Sequence, residues 1–239
     1  MTVEEDKISS KLPGQKIPKL KSPQWSNKSN KFNFYQKIPT ELLQGYASAG
    51  GLDDGIDLDI IWEKICDSSA VLEVGAGYGR VIKELVKRNY AGSISAIEQC
   101  ENFFATLQAK YSRNATLYNK NILNFESPQK FPVILMLWSC ISDFAKEEQL
   151  PVMRKLHQLL QPGGLLIMDT FPSTGLPLNA SEASNQGYTV NWQECEAHGY
   201  IPNRDEMKGY QVLVNFKSIA TKEYVTSTNR NRILYFLEK

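Results

Sequence analysis

The chain has 239 residues, enough for one large domain with a buried sheet or for one domain with a small appendage. Hydrophobic residues make up 42% of it and charged residues 22%, as is ordinary for a soluble globular protein. The formal net charge is only +1, so no global field attracts a polyanion, which disfavours a dedicated nucleic-acid binder.

The N-terminal segment differs in composition from the rest of the chain. Residues 1–31 contain seven lysines and three acids, are interrupted by three prolines, and show no sustained apolar period. This composition predicts a flexible Lys-rich arm. Residues 32–55 contain more aromatic residues and leucine and are predicted to form an N-terminal cap segment, with Thr40 as the N-cap of a short helix.

From residue 56 onward, apolar runs of strand length alternate with segments of helical period. The predicted helices are Ile56–Ile65, Arg80–Arg88, Glu101–Tyr111 and Glu147–Leu160. The predicted strands are Ala70–Val74, Ser93–Ile97, Ala115–Tyr118, Phe131–Trp138 and Leu165–Asp169. Repeated βαβ units of this kind predict a parallel sheet, in which ligands bind at the carboxyl ends of the strands.

A glycine-rich turn follows the first predicted strand. Gly75, Gly77 and Gly79 allow the backbone to approach a ligand closely. Dinucleotide-binding folds use G-x-G-x-x-G, but the third glycine of that pattern would fall on Arg80. The turn therefore fits the pattern E-x-G-x-G-x-G and argues against a dinucleotide.

The segment Val71–Arg80, VLEVGAGYGR, resembles the first motif of the class I S-adenosylmethionine-dependent methyltransferases. The segment Leu159–Leu166 resembles the junction between helix and fifth strand in that family, and the resemblance covers about residues 56–170. It implies an α/β, Rossmann-like, doubly wound fold with a mostly parallel seven-stranded sheet and helices on both faces. A small cap would come from the N-terminal and post-fifth-strand segments, and residues 56–239 would form the methyltransferase domain.

The resemblance also implies S-adenosylmethionine as cofactor, with S-adenosylhomocysteine as product. Glu98 would accept hydrogen bonds from both ribose hydroxyls, and Asn121 with Ile122 would lie against the adenine, where the family more often has an acidic residue than an asparagine. Arg80 opposes the helix dipole, which hints at contact with a carboxylate of the cofactor or substrate. The predicted cofactor-binding set is Glu73, Gly75, Ala76, Gly77, Tyr78, Gly79, Arg80, Glu98, Gln99, Asn121, Ile122, Leu137 and Trp138.

In this family the acceptor pocket is built by the N-terminal region and by the segment after the fifth strand, here residues 173–208. That segment is polar and loop-like, with scattered aromatic residues. The predicted substrate-contacting residues are Tyr35, Tyr46, Trp138, Tyr188 and Trp192, with Tyr200 as further aromatic surface. A hydrophobic lid explains these aromatic residues as well as a substrate pocket does.

Methyl transfer needs a general base only if the nucleophile arrives protonated. Asp143 and His198 are the only acid/base candidates. The fourth strand is followed by no Asn/Asp-Pro-Pro-Tyr motif, and Cys140 is not preceded by proline. These absences disfavour enzymes that act on adenine or glutamine amines and on cytosine C5, and they favour the branch that acts on small molecules.

The four cysteines form no C-x-x-C pair and the chain has only two histidines, so we predict no metal site and reduced cysteines. The first residues lack the apolar run of a signal peptide, and no stretch approaches the length of a membrane span. We therefore expect a cytoplasmic protein that does not bind membranes.

The C-terminal region allows two interpretations. In the preferred one, Asn203–Lys208 is a shortened last helix, and Gly209–Phe216 and Asn231–Leu237 are the closing antiparallel strands of the seven-stranded sheet. In the other, both strands form an added layer over the pocket, and the usual final helix and hairpin are absent.

Three functions follow from these patterns. The leading hypothesis is methyl transfer to a nitrogen or oxygen nucleophile of a small molecule by in-line displacement. The second is a protein or RNA methyltransferase that uses the basic arm, and the third is a non-catalytic binding protein with a methyltransferase fold.

Overall fold

The computed structural model describes residues 30–172, 175–184 and 186–239. Residues 1–29, which make up most of the predicted Lys-rich arm, lie outside the described residues. Asn30 and Lys31, which the sequence analysis places in the arm, belong to the first helix.

The described residues form seven α-helices and ten strands. The helices are α1 (Asn30–Lys37), α2 (Thr40–Ala49), α3 (Ile56–Ile65), α4 (Arg80–Lys87), α5 (Glu101–Tyr111), α6 (Lys146–Leu159) and α7 (Arg204–Val214). The strands are β1 (Ala70–Val74), β2 (Ser93–Glu98), β3 (Thr116–Asn119), β4 (Phe131–Met136), β5 (Leu160–Thr170), β6 (Ala180–Ser184), β7 (Gly187–Trp192), β8 (Cys195–Tyr200), β9 (Ser218–Val225) and β10 (Asn231–Glu238). Two 3₁₀ turns, Ile122–Asn124 and Cys140–Asp143, follow β3 and β4.

Seven strands form one sheet in the order β3-β2-β1-β4-β5-β10-β9. The first five are parallel, and β10 runs antiparallel to both β5 and β9. The predicted seven-stranded, mostly parallel α/β fold is confirmed. Its strand order reverses between β1 and β4, and ligands of such sheets bind in the crevice at this reversal.

Both faces of the sheet are covered by helices because alternate residues of each strand point to opposite faces. Leu72 of β1 belongs to a core cluster with Leu156 of α6 and Met207 of α7. The neighbouring Val71 belongs to a second cluster, on the other face, with residues of α3, α4 and α5. The strands are therefore apolar on both faces, which is why their positions were predictable from sequence.

A three-stranded antiparallel sheet, β6-β7-β8, lies in the segment predicted to be a loop. Its β8 strand packs Cys195 and Ala197 against α1 and α2 in a third core cluster. The loop prediction was wrong because the apolar alternation is short and is interrupted by the polar turn at Gln193, whose φ is +53°.

The C-terminal prediction was right about the closing hairpin and wrong about one strand. Residues 209–214 continue α7, which begins with a capping box between Asn203 and Glu206 and buries Met207, Tyr210 and Val214 at helical spacing. The apolar run that resembles a strand is thus one face of a helix. The strand that pairs with β10 is β9, so both the final helix and the hairpin are present.

Two local predictions also differ from the structure. Thr40 does not cap α2: the capping position is Pro39, and the Thr40 hydroxyl instead lies 3.4 Å from that of Thr106. Strand β4 ends at Met136, two residues earlier than predicted, because Trp138 and Ser139 turn the chain out of the sheet with φ of +53° and +57°.

Within the described part of the chain, no helix combines the length and the apolar character needed to cross a membrane.

Candidate functional site

A cavity of about 280 Å³ opens at the carboxyl edge of the sheet, where β1 and β4 lie side by side. The glycine turn after β1 and the ends of β2 and β4 form one wall. Residues of α1, α2, β7 and β8 form the opposite wall, so the predicted cap does cover the point where the strand order reverses. The cavity has the size and position expected of a small-molecule site in an α/β fold.

The structure brings together nearly all of the predicted cofactor residues. Those that line the cavity are Glu73, Gly75, Ala76, Gly77, Tyr78, Arg80, Glu98, Gln99, Asn121, Ile122, Leu137 and Trp138. Gly79 is absent from the lining. A Cβ at Gly79 would lie 2.5 Å from the Tyr111 ring, so this glycine is needed for the packing of the turn against α5 and does not face the cavity.

The glycine turn leaves its backbone open to a ligand. Gly75 and Gly77 have φ of +75° and +55°, in the left-handed region that favours glycine. A Cβ at Gly75 would lie only 2.4 Å from the Cys140 Sγ, whereas at Gly77 it would stand 3.5 Å from Leu43 across the cavity. Gly75 therefore permits the close contact with Cys140, and Gly77 exposes its backbone to the cavity.

Two polar atoms beside this turn are buried and lack a hydrogen-bond partner among the described residues: Glu73 Oε2 and the Tyr78 hydroxyl oxygen. Burial raises the pKa of Glu73 to about 8, although the nearby Arg80 opposes this increase. Since an unpartnered buried carboxyl is costly, Glu73 is suited to receive a cationic or hydrogen-bond-donating group of a ligand.

Arg80 forms a buried ion pair that the sequence analysis missed. Its Nη1 and Nη2 donate to the two carboxylate oxygens of Asp57 at 2.9 and 2.6 Å, and Nη1 also donates to the Leu52 carbonyl at 3.0 Å. The dipole conflict at the start of α4 is therefore resolved by Asp57 of α3. The helical spacing of α3 gave no sign that this acidic residue would be fully buried.

Glu98, at the end of β2, holds the glycine turn in place. Its Oε2 accepts a hydrogen bond from the Gly77 amide at 2.7 Å, and its Oε1 accepts one from the Cys100 amide at 2.7 Å. Burial raises the pKa of Glu98, and these backbone hydrogen bonds oppose the increase. Each carboxylate oxygen has a further lone pair for a ligand hydroxyl.

Asn121 and Gln99 form a polar pair beside Ile122. Asn121 Nδ2 donates to Gln99 Oε1 at 2.8 Å, while Asn121 Oδ1 accepts from the Leu123 amide at 2.9 Å. Asn121 thus caps the 3₁₀ turn after β3, and its oxygen keeps one lone pair toward a ligand.

A buried network fixes the turn after β4. Asp169 Oδ1 accepts from the Ser139 amide at 2.9 Å, and its Oδ2 accepts from Tyr224 at 2.8 Å and from Arg232 Nε at 2.5 Å. Arg232 also donates to the Ser139 hydroxyl at 2.7 Å. Because Trp138 and Ser139 are both left-handed, this network stabilises a costly backbone conformation where Trp138 enters the cavity wall.

The cap side of the cavity is aromatic and acidic. Of the predicted substrate residues, Tyr35, Tyr46, Trp138 and Tyr188 line it, and so does the catalytic candidate Asp143. The Tyr35 hydroxyl donates to Asp143 Oδ1 at 3.1 Å. Burial, followed by the effect of Asp143, raises the pKa of Tyr35 and of Tyr188 well above 10.

Three aromatic or titratable candidates lie outside the cavity lining. Trp192 packs on the third core cluster near the β7–β8 turn, and Tyr200 donates to Glu206 at 2.5 Å. His198 alternates with buried Ala197 on β8 and points to the exposed face, where it contacts Thr189 and Glu196. Strand alternation thus turns His198 away from the cavity, and its position gives no support to the suggested catalytic role.

Several lining residues were not predicted from sequence. They are Phe34, Ile38, Leu43, Lys120, Ser139, Cys140, Phe144, Glu148, Phe171, Arg230 and Arg232 among others. Ser139 and Cys140 could have been predicted, because they directly follow Leu137 and Trp138, which the sequence analysis assigned to the cofactor site. Arg232 belongs to no motif and reaches the cavity only because β10 pairs with β5.

Among the described residues, no group of three or more histidine, cysteine, aspartate or glutamate side chains is arranged to hold a metal ion.

Residues 71–164 match a family model described as a methyltransferase domain. This match begins in β1, includes the glycine turn, and ends at the glycine pair after α6. No curated protein matches the chain.

Solved structures with the same fold include three methyltransferases. The CcbJ methyltransferase from Streptomyces caelestis shares 14% identity at a TM-score of 0.61, over 85% of this chain and 94% of that chain. CalS10 from Micromonospora echinaspora, an amino pentose methyltransferase, shares 13% sequence identity at a TM-score of 0.59, and the match covers 82% of this chain and 95% of that chain. The 1,6-didemethyltoxoflavin-N1-methyltransferase of Burkholderia thailandensis shares 13% sequence identity at a TM-score of 0.60, and the match covers 84% of this chain and 86% of that chain.

Proposed function

We propose that this chain, which contains a match to a methyltransferase domain, is a class I S-adenosylmethionine-dependent methyltransferase that transfers the methyl group to a nitrogen or oxygen nucleophile of a small molecule. The observation that carries the proposal is the cavity itself, because it runs without interruption from the glycine turn to the aromatic cap. A donor and an acceptor can therefore meet within one enclosed space.

The residues at the glycine turn fit the chemistry of the donor. The backbone of the glycine turn around Gly77 can lie against the methionyl and ribose portions, and Glu98 can accept from ribose hydroxyls. The unpartnered Glu73 carboxyl suits the methionyl ammonium, and Asn121 with Ile122 suits the adenine. The bound donor supplies a methyl group already activated on a sulfonium, which carries a positive charge.

The cap supports a small acceptor. Helices α1 and α2 and strands β7 and β8 enclose the cavity on the side opposite the glycine turn, leaving a volume of about 280 Å³. Two of the related structures are named for compact molecules, an amino pentose and 1,6-didemethyltoxoflavin, and another is named for a glycopeptide. A folded protein or an RNA duplex would have to displace this cap to reach the glycine turn.

Catalysis in such a cavity comes mainly from holding two groups in line and excluding water. The Trp138–Ser139 turn, fixed by Asp169 and Arg232, places a rigid aromatic wall beside the glycine turn. Asp143, one of two carboxylates that the described residues place on the cap side of the cavity together with Glu148, can take a proton from a nucleophile.

The test uses S-adenosylmethionine with a radiolabelled methyl group, incubated with a metabolite filtrate, with protein and with RNA in separate reactions. We expect label to enter the metabolite fraction with the full chain and not with a Glu98→Ala variant. Label in protein or RNA alone would contradict a small acceptor. If that label also disappeared on deletion of residues 1–29, it would favour recognition by the Lys-rich arm.

A further inference from the structure

One carboxylate dominates the acceptor end of the cavity. Asp143 lies among the side chains of Tyr35, Trp138, Phe144 and Tyr188, a group that we call the Asp143 pocket. Tyr35 donates to its Oδ1 at 3.1 Å, and the Tyr188 hydroxyl reaches the neighbouring Ser142 carbonyl at 3.3 Å. The pocket thus combines a negative charge with several aromatic faces.

The Asp143 pocket lies directly beside the glycine turn. Cys140 and Asp143 are the first and last residues of a 3₁₀ turn, in which side chains three positions apart point the same way. The Cys140 Sγ is so close to Gly75 that a Cβ there would lie 2.4 Å away. Asp143 therefore lies on the same side of this 3₁₀ turn as Cys140, the side chain that packs against Gly75 of the glycine turn.

Among the described residues, the arginines and the lysine that line the cavity belong to elements other than those of the Asp143 pocket. Arg80 and Arg232 are held in buried ion pairs with Asp57 and Asp169. Lys120 and Arg230 also line the cavity, from the segment after β3 and from the β9–β10 turn respectively. The elements that build the Asp143 pocket contribute carboxylates, from Asp143 and Glu148, and aromatic rings.

We infer that the acceptor is an amine, and that Asp143 binds its ammonium form and takes its proton. The inference rests on the proposed function and narrows its nucleophile from nitrogen or oxygen to amine nitrogen. An ammonium group is attracted both by a carboxylate and by the faces of aromatic rings. A carboxylate acceptor would be repelled by the same group.

The chemistry balances without a further reactant. Asp143 accepts one proton from the ammonium, which frees the nitrogen lone pair. That lone pair forms the new nitrogen–carbon bond while the electron pair of the carbon–sulfur bond remains on sulfur, giving S-adenosylhomocysteine. The methylated amine is an ammonium again, and the proton on Asp143 passes to water when the product leaves.

Tyr35 and Tyr188 act as positioning residues for Asp143. Burial raises the pKa of both hydroxyls, so each keeps its proton and can donate to the carboxylate but cannot serve as a base. Tyr35 comes from α1 and Tyr188 from β7, so the two parts of the cap meet on this carboxylate.

The test compares three probes of similar shape, benzylamine, benzyl alcohol and benzoate, by titration into the protein saturated with S-adenosylhomocysteine. We expect benzylamine to bind roughly tenfold more tightly than either other probe. The Asp143→Asn variant is expected to lose this preference and to keep its affinity for S-adenosylhomocysteine. The matched control Glu147→Gln, at an exposed carboxyl on α6, is expected to keep both.

Three results would overturn the inference: no binding of benzylamine, equal or tighter binding of benzyl alcohol or benzoate, or an undiminished preference in Asp143→Asn. The probe series on the unchanged protein decides the question even if the variant does not fold. Failure of S-adenosylhomocysteine to bind, seen before any probe is added, would contradict the proposed function itself and the inference with it.

Discussion

At the scale of single residues, the cavity is built on buried charge. Arg80 with Asp57 and Arg232 with Asp169 form ion pairs in which each side chain is at most 4% exposed. Breaking one such pair would leave a buried charge without its partner, which is strongly destabilising. These pairs keep two cationic residues fixed in the wall, while the other charged side chains of the lining, Lys120 and Arg230 together with the carboxyls of Glu73, Glu98 and Asp143, contribute to the charge that a ligand meets.

Glu98 is expected to contribute directly to donor binding. Replacing it with glutamine removes charge and one acceptor oxygen, so the affinity for S-adenosylhomocysteine should fall by about 1.5–3 kcal/mol, roughly 10- to 100-fold in Kd. Calorimetric titration measures the change, and Glu101→Gln, at an exposed carboxyl three residues away, serves as control. An unchanged Kd for Glu98→Gln would refute its assignment to the ribose.

The raised pKa of Glu73 predicts that the free energy of unfolding of the ligand-free protein depends on pH. Its pKa of about 8 in the folded state lies above the ordinary value of 4.5. Between these values the folded protein holds a proton that the unfolded chain has released, so Glu73 lowers the free energy of unfolding as pH rises through this window. Glu73→Gln should therefore be more stable than wild type above pH 8, by up to about 5 kcal/mol, and the gain should vanish below about pH 4.5.

Urea denaturation of wild type and Glu73→Gln at about pH 5, 7 and 9 measures this effect. The exposed carboxyl of Glu63 provides the matched change Glu63→Gln, which should follow wild type. A constant difference between Glu73→Gln and wild type over the whole range would show that Glu73 titrates normally.

At the scale of elements, the sequence predicted the βαβ core well and the C-terminal helix poorly. Four of the five parallel strands, β1, β2, β4 and β5, are largely buried on both faces, so their composition locates them, whereas the residues of β3 are exposed or half-buried. Helix α7 carries the exposed pair Val212 and Leu213 beside its buried face, and this continuous apolar run resembles a strand. Only the packing of this segment against α6 distinguishes a helix from a strand.

The helical state of Gly209 can be tested by substitution. Alanine should stabilise the protein by about 0.5–1 kcal/mol, because Gly209 lies inside α7 and a Cβ there meets nothing within 4 Å. Gly163 is the matched control: a Cβ there also meets nothing, but its φ is +72°. Gly163→Ala should therefore destabilise by about 1–2 kcal/mol. Destabilisation by Gly209→Ala in urea or thermal melts would contradict the helix.

At the scale of the whole molecule, the residues proposed to bind the donor were predictable from motifs, whereas the cap side of the cavity was predicted only in part: Tyr35, Tyr46, Trp138 and Tyr188 line the cavity, but residues such as Phe34 and Arg232 were not foreseen. The donor residues follow consecutive strands between Glu73 and Trp138, and the order of the chain brings them to one edge of the sheet. The acceptor side draws on α1, the turn after β4, β7 and the start of β10. These segments are distant in sequence and meet only through tertiary packing, so no local pattern reveals that Arg232 or Phe34 lines the cavity.

The family match includes only part of the Asp143 pocket. The family match covers residues 71–164, which include the residues proposed to bind the donor, and the related structures share the fold at 13–14% identity. The nature of the acceptor depends on the Asp143 pocket, of which Tyr35 and Tyr188 lie outside the matched residues.

The central claim is that the cavity beside the glycine turn binds S-adenosylmethionine. Isothermal titration of the full chain with S-adenosylmethionine and with S-adenosylhomocysteine tests it most directly. We predict that each binds with one molecule per chain and that Gly77→Val, which would place a branched side chain in the cavity, weakens binding of both. If neither ligand bound to the wild-type protein, the account of this cavity as a methyl-donor site would be wrong.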